Sequence, residues 1–398
     1  MISAMPSLDL YVSCVTDLSS LTDSAHEWNR LADDVPFRRW EWVESWWRHY
    51  RRSDLSAFVL TVRNHDGVLV GLLPCYRSTG SLSGSTLRFM GSGEICSDYL
   101  SLLTATGQEQ EVAAAVGRWL SEAAAHEWSL IDLDGVAQPD APMQYLLDWL
   151  RLHGHRVHIR QRLHGWRLKL PAGWEEYLTK VSRGRRVRIR QIVKRQLETG
   201  QVVGRVARSV EEFERGWQIL CDLHQRRRIS LGEKGCFVSD RFARFHEEIS
   251  RRFFEMGKLR LHWVELEGVP VAVDYAFLSD DTVYCYQSGF DPRYAEAQPG
   301  WLNWTSSIRK AIEQGYQAFD FMRGDEPYKA TWRAEPIPLL EIRIIGRRPT
   351  AVLRDQLWHA GRSAKNAINV AKQKMQQWLP NRTALPLPEV ETDAKTTT

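Results

Sequence analysis

LEGVPVAVDYAFLSDDTVYCYQSGF, residues 266–290, decides the fold. Two strand-length runs, Val269–Phe277 and Thr282–Ser288, flank the polar turn Ser279-Asp280-Asp281. Glu267-Gly268 turns back into a third run, Leu259–Glu265. Connections this short join antiparallel neighbours, so the segment is predicted to be a three-stranded meander. Downstream, a polar loop from Gly289 reaches Pro299-Gly300. Trp301, Trp304, Ile308, Ala311 and Ile312 then recur at helical spacing, and Gly315 closes a helix predicted over Trp301–Gln314. Strands are expected at Gln317–Met322 and Pro336–Ile345.

Upstream, Ser209 and Glu212 form a capping box ahead of a helix whose apolar face carries Phe213, Trp217, Leu220 and Cys221. A second helix runs from Ser239 to Gly257, with Phe242, Phe245, Ile249 and Phe253 on one side. Residues 172–199 read as one long helix with Trp174, Tyr177, Leu178 and Val181 as its stripe. The N-terminal half has an aromatic helix over 37–50 and strands at Ala57–Arg63 and Val68–Tyr76 about the turn His65-Asp66-Gly67. Strands at Thr86–Met90 and Tyr99–Leu103, a helix over Glu109–Ala125 and a strand at Leu130–Leu133 follow. HDGVLVGLLPCY (65–76) echoes LEGVPVAVDYAF (266–277), and each half repeats the order helix, hairpin, helix, strand. The expected units are 1–170 and 171–348, then an amphipathic helix over 349–379 and a disordered tail over 380–398.

The chain has 398 residues, 43% hydrophobic and 26% charged, enough for two domains around real cores. Its six cysteines include no Cys-x-x-Cys pair, which argues against a metal site and for reduced thiols in the cytoplasm. No secretory leader and no apolar run long enough to span a bilayer are visible. Gly91-Ser-Gly-Glu-Ile-Cys96 resembles half a dinucleotide fingerprint, but a strand-like run follows it rather than a helix, so that site is excluded. A net charge of +4 does not mark a nucleic-acid binder. Lys180–Arg195 nonetheless holds eight basic residues and no acid. It is either a solvated helix face or a site for an anionic glycan, a nucleotide-linked sugar, tRNA or a membrane surface. Of these partners, nucleic acid and membrane are not favoured.

One set of residues carries a family resemblance: His224 with Arg227, Gly235-Cys236-Phe237, Val271–Phe277, Tyr284-x-Tyr-x-x-Gly-Phe-Asp291, Pro299-Gly300, Asp320-Phe-Met-Arg-Gly-Asp-Glu326, and Tyr328-Lys329 with Trp332. The stretch resembles the acyltransferase domain of FemAB-like GNAT proteins, and more narrowly the CelD-like acetyltransferases of bacterial polysaccharide and cellulose loci. Trp40–Trp47, Gly71–Pro74 and Ser97-Asp98-Tyr99 extend it into the first half. The resemblance implies an α/β (α+β) chain of tandem GNAT-like folds, each a mostly antiparallel sheet flanked by helices. It implies acetyl transfer from acetyl-CoA, or another acyl-CoA, to an amine of an amino sugar or polysaccharide precursor, without a metal.

The residues expected to do this follow from the chemistry, which needs a base for the amine, a polarised thioester carbonyl and a proton for the leaving thiolate. Asp320, Glu326, His224 and Tyr284 are the catalytic candidates. Tyr294, Gly300, Trp301, Leu302 and Lys329 are the donor-binding candidates, because a helix start binds phosphate and a glycine there lets it approach. Arg227, Asp98 and Asp325 are the acceptor-binding candidates. Each has a plainer reading: a buried ion pair for Asp320, a core histidine for His224, a solvated turn for Asp325 to Lys329, and sheet packing for Tyr284. The usual GNAT loop of form Q/R-x-x-G-x-G/A is replaced by Tyr294–Gly300. Two alternatives therefore stay open: an aminoacyl or peptidyl transferase using charged tRNA, and a non-catalytic polysaccharide assembly factor.

Overall fold

Thirteen strands share one sheet among the described residues, 9–80 and 84–357 of a computed structural model. The first half supplies β1 (Tyr11–Val15), α1 (Ala25–Leu31), α2 (Trp40–Tyr50), β2 (Leu55–Arg63), β3 (Leu69–Gly80), β4 (Gly84–Phe89), β5 (Leu103–Thr104), α3 (Glu109–Ser121), β6 (Leu130–Ala137), α4 (Ala141–Leu152) and β7 (Arg156–Lys169). Two helices, α5 (Trp174–Lys180) and α6 (Arg183–Ile192), lead into the second half. That half supplies β8 (Val202–Val206), α7 (Val210–Ser230), α8 (Asp240–Glu255), β9 (Leu259–Leu266), β10 (Val269–Leu278), β11 (Thr282–Phe290), α9 (Pro299–Glu313), β12 (Ala318–Arg323), α10 (Tyr328–Thr331) and β13 (Glu335–Ile345). With β5 set aside, both halves read β-α-α-β-β-β-α-β-α-β. The architecture is the expected tandem of α/β units. The sequence echo falls on equivalent strands, β3 and β10.

The sheet order is β1-β2-β3-β4-β6-β13-β7-β12-β11-β10-β9-β8. Read inward from either edge, each repeat lays down its strands in turn and then accepts the last strand of the other repeat. β13 pairs with β6, β7 pairs with β12, and β7 and β13 pair with each other from Arg156–Ile345 to Arg167–Glu335. Two pairings are parallel, β4 with β6 and β11 with β12, and they stand at equivalent places. The main core crosses the repeats too. Trp42 of α2 is fully buried, with its ring 5.1 Å from both Phe245 of α8 and Phe277 of β10. Its indole N–H donates to Ser97 Oγ at 2.9 Å.

Three expectations change. Residues 172–199 are not one helix: the chain is extended at Val181 and Ser182, and a π turn over Val193–Leu197 follows α6. On an unbroken helix the stripe through Leu178 and Val181 would continue to Arg185 and Arg188. The break turns Ile189 and Ile192 inward instead. Tyr99–Leu103 is mostly a buried loop, with Tyr99 left-handed at φ 64° and only Leu103 in a strand. β1 and α1 precede the elements read from the sequence. Residues 349–357 are helical, and the rest of the expected C-terminal helix and tail lie outside the described residues.

Gly289, in the quoted motif, marks the closest helix–sheet approach. A Cβ there would lie 2.5 Å from the backbone N of His224 and 2.7 Å from the carbonyl carbon of Leu223, so α7 crosses β11 where only glycine fits. Backbone cannot yield as a side chain can, and overpacking costs about 1–3 kcal/mol. Gly289→Ala is expected to lower unfolding stability by about that amount in urea titration.

Candidate active site

β11 and β12 stay together for only three register pairs, Thr282–Ala318, Val283–Phe319 and Tyr284–Asp320. β12 then bulges, with Met322 left-handed at φ 57°, and returns to pair with β7 at Arg323–Gly165. β11 runs on to Phe290 without a strand on that side, leaving edge N–H and C=O groups free. A cleft opens where the strands part. Its first arm, about 510 Å³, lies between α7, the end of β11, the start of α9 and α10. Its second arm, about 360 Å³, is closed by Glu94–Cys96 and Asp98 of the first repeat. Arg228, Ser288, Trp304, Glu326 and Tyr328 line both arms, so this is where the two arms meet.

The first arm ends on an uncapped helix start with arginines beside it. Gln298, left-handed at φ 55°, starts α9 without a side-chain cap, and Pro299 is its first residue. Pro299 has no N–H and those of Trp301 and Leu302 bond to the Gln298 carbonyl at 2.8 and 3.4 Å, so the Gly300 N–H and the helix dipole are what this end offers a phosphate. Gly300 and Trp301 line the arm, and a Cβ on Gly300 would meet nothing within 4 Å. The Arg188 guanidinium of α6 lies 4.1 Å over the Trp301 ring, and Arg227 lies 4.3 Å over Phe290. Asn303, 3% exposed, lines the arm with its Oδ1 unpartnered. Leu302 instead packs in the core with Val264 and Val271, and Tyr294 packs beside that cluster, so neither side chain reaches the cleft.

Around the junction, Lys329 Nζ is buried and donates to the carbonyls of Met322, Arg323 and Gly324 at 3.1, 2.8 and 3.0 Å. It also pairs with Glu326 at 2.9 Å. All its protons are used, so the expected phosphate contact is corrected: Lys329 closes the turn and holds Glu326. Tyr328 stacks on Trp304 with ring centroids 5.8 Å apart and planes 10° apart. Asp98 is fully buried against Arg323, at 2.6 Å to Nε and 3.0 Å to the backbone N. Burial pushes its carboxyl up to about 6, with Arg323 opposing.

Asp320, Tyr284, His224 and Asp325 stand elsewhere. Asp320 is fully buried and lines neither arm. It accepts from Tyr99 Oη, from Arg167 Nε at 2.8 Å and from Met322 N at 2.7 Å, so it forms the buried ion pair of the plainer reading, with Arg167 of the first repeat. Tyr284 lines a different cavity, while Tyr286 on the same strand lines the second arm. His224 is buried beneath the second arm, its Nε2 3.6 Å from Cys236 Sγ. Asp325 turns outward and accepts from His164 Nδ1 and Trp166 Nε1 of β7 at 2.9 and 3.2 Å. Arg228, Asn303, Trp304 and Tyr328 were missed as site residues. Only Arg228 and Tyr328 carried a signal, as the neighbour of the candidate Arg227 and as a member of the Tyr-Lys motif.

Burial pushes the His224 imidazole down to about 4, and Arg228 adds to the effect. Between pH 6.5 and pH 4 the unfolded chain binds this proton and the folded chain does not, so stability is lost as pH falls through that window. His224→Gln should therefore lose less stability than the parent between pH 7 and pH 4.5, by up to roughly 3 kcal/mol, in paired urea titrations.

The stretch that holds this cleft carries a GNAT acetyltransferase domain, which makes the chain an acyltransferase. Residues 183–330 match the family model described as an acetyltransferase (GNAT) domain, a span that holds the basic helix, both arms' α7 wall, β11, α9 and the junction. Among solved structures, FemX is 13% identical, with a TM-score of 0.59 over 86% of this chain and 99% of that one. A conserved protein of unknown function from Bacteroides thetaiotaomicron VPI-5482 is 10% identical, with a TM-score of 0.52 over 84% of this chain and 100% of that one. A tandem GNAT protein from the clavulanic acid biosynthesis pathway gives 12% and 0.47 over 86% and 99%. No curated protein matches the sequence significantly. Among the described residues, no group of three His, Cys, Asp or Glu could hold a metal, and no helix is long and apolar enough to cross a membrane.

Proposed function

We propose that the protein transfers an acetyl group from acetyl-CoA to the amine of an amino sugar or polysaccharide precursor in the cytoplasm, with residues 171–348 as the catalytic unit. The single observation that carries this is the meeting of two arms at Glu326 and Tyr328. An elongated donor and a separate acceptor need such a junction, where their reacting atoms can be held together. The uncapped start of α9, with Arg188 and Arg227 beside it, suits the donor's phosphates. In this reading Glu326 takes the proton of the acceptor ammonium and the freed amine attacks the thioester carbonyl. Edge N–H groups of β11 receive the developing oxyanion. The C–N bond forms, the C–S bond breaks, and Tyr328 Oη gives its proton to the departing thiolate and takes up the second proton that the new amide nitrogen sheds. Lys329 keeps Glu326 in place. The polysaccharide setting rests on the CelD-like resemblance alone.

One observation favours a second reading, transfer of an aminoacyl group from charged tRNA. α6 brings Arg188 onto the donor arm and leaves Arg183, Arg190, Lys194 and Arg195 exposed. Donor binding separates the two readings. Calorimetric titration with acetyl-CoA is expected to show one site. Glu326→Gln should keep that affinity and lower kcat, read as thiol release with amino-sugar acceptors, by roughly 10²–10³-fold. A folded sample that ignores acetyl-CoA but binds tRNA with steep salt dependence would reverse the choice. Full thiol release by Glu326→Gln would remove Glu326 as the base.

A further inference from the structure

A second cavity, of about 550 Å³, lies at the opposite end of the β11 seam. Neighbouring residues separate it from the cleft: Asp98 lines the cleft and Tyr99 the cavity, Tyr286 the cleft and Tyr284 the cavity. The repeat gives it a counterpart. The second arm is built from the end of β12 and from Cys236, in the turn ahead of α8. The cavity is built from the end of β6, at Ala137–Asp140, and from Val35 and Arg38, at the turn ahead of α2. It occupies in the first repeat the position that the acceptor-side arm occupies in the second.

Its polar groups are unevenly answered. On one wall, the half-buried Arg167 gives Nε to Asp320 and lays its guanidinium 5.0 and 5.6 Å from the Tyr99 and Tyr284 ring centroids, while its two Nη groups donate no hydrogen bond among the described residues. The Tyr284 hydroxyl, on a side chain 4% exposed, also has none. Arg38 stands beside them, tied to Asp140 at 3.5 Å. On the rim, Asp34 and Asp280 share Lys258. Asp281 accepts from the hydroxyls of Ser279 and Thr282, and the exposed Asp33 carboxylate, within electrostatic reach of Arg38, accepts no hydrogen bond and makes no close ion pair among the described residues. Unused donors therefore lie deep, and unused carboxylate lies at the mouth.

We propose that this cavity is a second ligand site, which takes a free α-amino acid with its carboxylate on Arg167 and Tyr284 and its ammonium toward Asp33 and Asp281. A guanidinium presenting two N–H groups matches a carboxylate, and a neighbouring hydroxyl adds a third bond. The ammonium adds a cation beside Asp33 and Asp281, which Lys258 does not reach. An internal or terminal residue of a peptide lacks one of the two charges, so the pattern selects the free amino acid. The site stands independently of the acyl-transfer reading, because none of its groups lines the junction.

Calorimetric titration of the full chain with each proteinogenic L-amino acid tests this, alongside the N-acetyl and carboxamide derivative of any that bind. At least one free amino acid is expected to bind at about 10 mM or below, where a Kd of ~1 mM already gives most of the signal. Either blocked derivative should bind at least about tenfold more weakly, since each loses a charge-assisted contact. Tyr284→Phe should weaken binding about fivefold, the worth of one hydrogen bond. Asp33→Asn should weaken it as well, and it leaves the fold alone because this side chain bonds nothing and Asn tolerates the left-handed backbone at φ 51°. The proposal is overturned if no free amino acid binds, if blocked derivatives bind as well as free ones, or if Tyr284→Phe combined with Asp33→Asn binds like the parent.

Discussion

Everything in this molecule depends on an exchange of terminal strands. β7 belongs by sequence to the first repeat but pairs with β12 of the second, and β13 returns the exchange by pairing with β6. Neither repeat can complete its sheet alone, because each lacks the strand the other donates. Unpaired backbone in that position would be buried and costly. Asp320 stands at the crossing. Its carboxylate is fully buried, and its partners Arg167 and Tyr99 both come from the first repeat. A buried carboxylate stripped of its partner typically destabilises by several kcal/mol, so this contact selects one register for the exchange. The same contact sets Arg167 facing the second cavity and, through the bond to the Met322 N–H, fixes the bulge from which the Lys329 turn begins.

The parting of β11 and β12 follows from that arrangement. β12 pairs with β11 and β7 together over Ala318–Asp320 and, past the bulge, keeps only β7 at Arg323–Gly165, so the cleft opens on the β11 side. The first repeat has an equivalent parallel pair, with register pairs only at Thr86–Leu130 and Leu87–Ile131. The two helix starts differ. α9 begins with an uncapped, proline-led turn without acidic residues, whereas α3 begins with Glu109 and Glu111. Carboxylates at a helix start neutralise the dipole that an anionic donor would use. The two repeats share a fold, and their helix starts differ in charge.

The meander, the capped helices and the repeat were legible because each is a local pattern. Alternation in β10, the box at Ser209 and Glu212, and the Gly-Val echo at 67–70 and 268–271 need no tertiary knowledge. β1 was missed because its residues alternate only weakly in burial on an edge. The break at Val181 was missed because the apolar spacing runs through it; burial of Ile189 and Ile192 decides it, and that depends on what they pack against. Site residues were legible by position and much less by role. Glu326 stands at the junction as its motif suggested, and Gly300 and Trp301 stand at the helix start. Asp320, in the same motif, faces away, because the bulge at Met322 reverses the alternation that would otherwise relate them. Lys329 looked like a phosphate ligand and is a turn anchor, since three carbonyls converge on it from a loop whose shape no spacing reveals.

The strand exchange also has a cost in time. A ribosome finishes β7 well before β13, and at roughly 5–20 residues per second the wait is on the order of 10–30 s. During it the first repeat has a sheet edge at β6 with no strand to cover it, and β7 has no β12 to join. Exposed edges of that kind recruit other chains. The nascent half must therefore be kept apart from its neighbours until the last strand emerges, and expression at lower temperature or with chaperones that shield sheet edges is the condition this topology calls for.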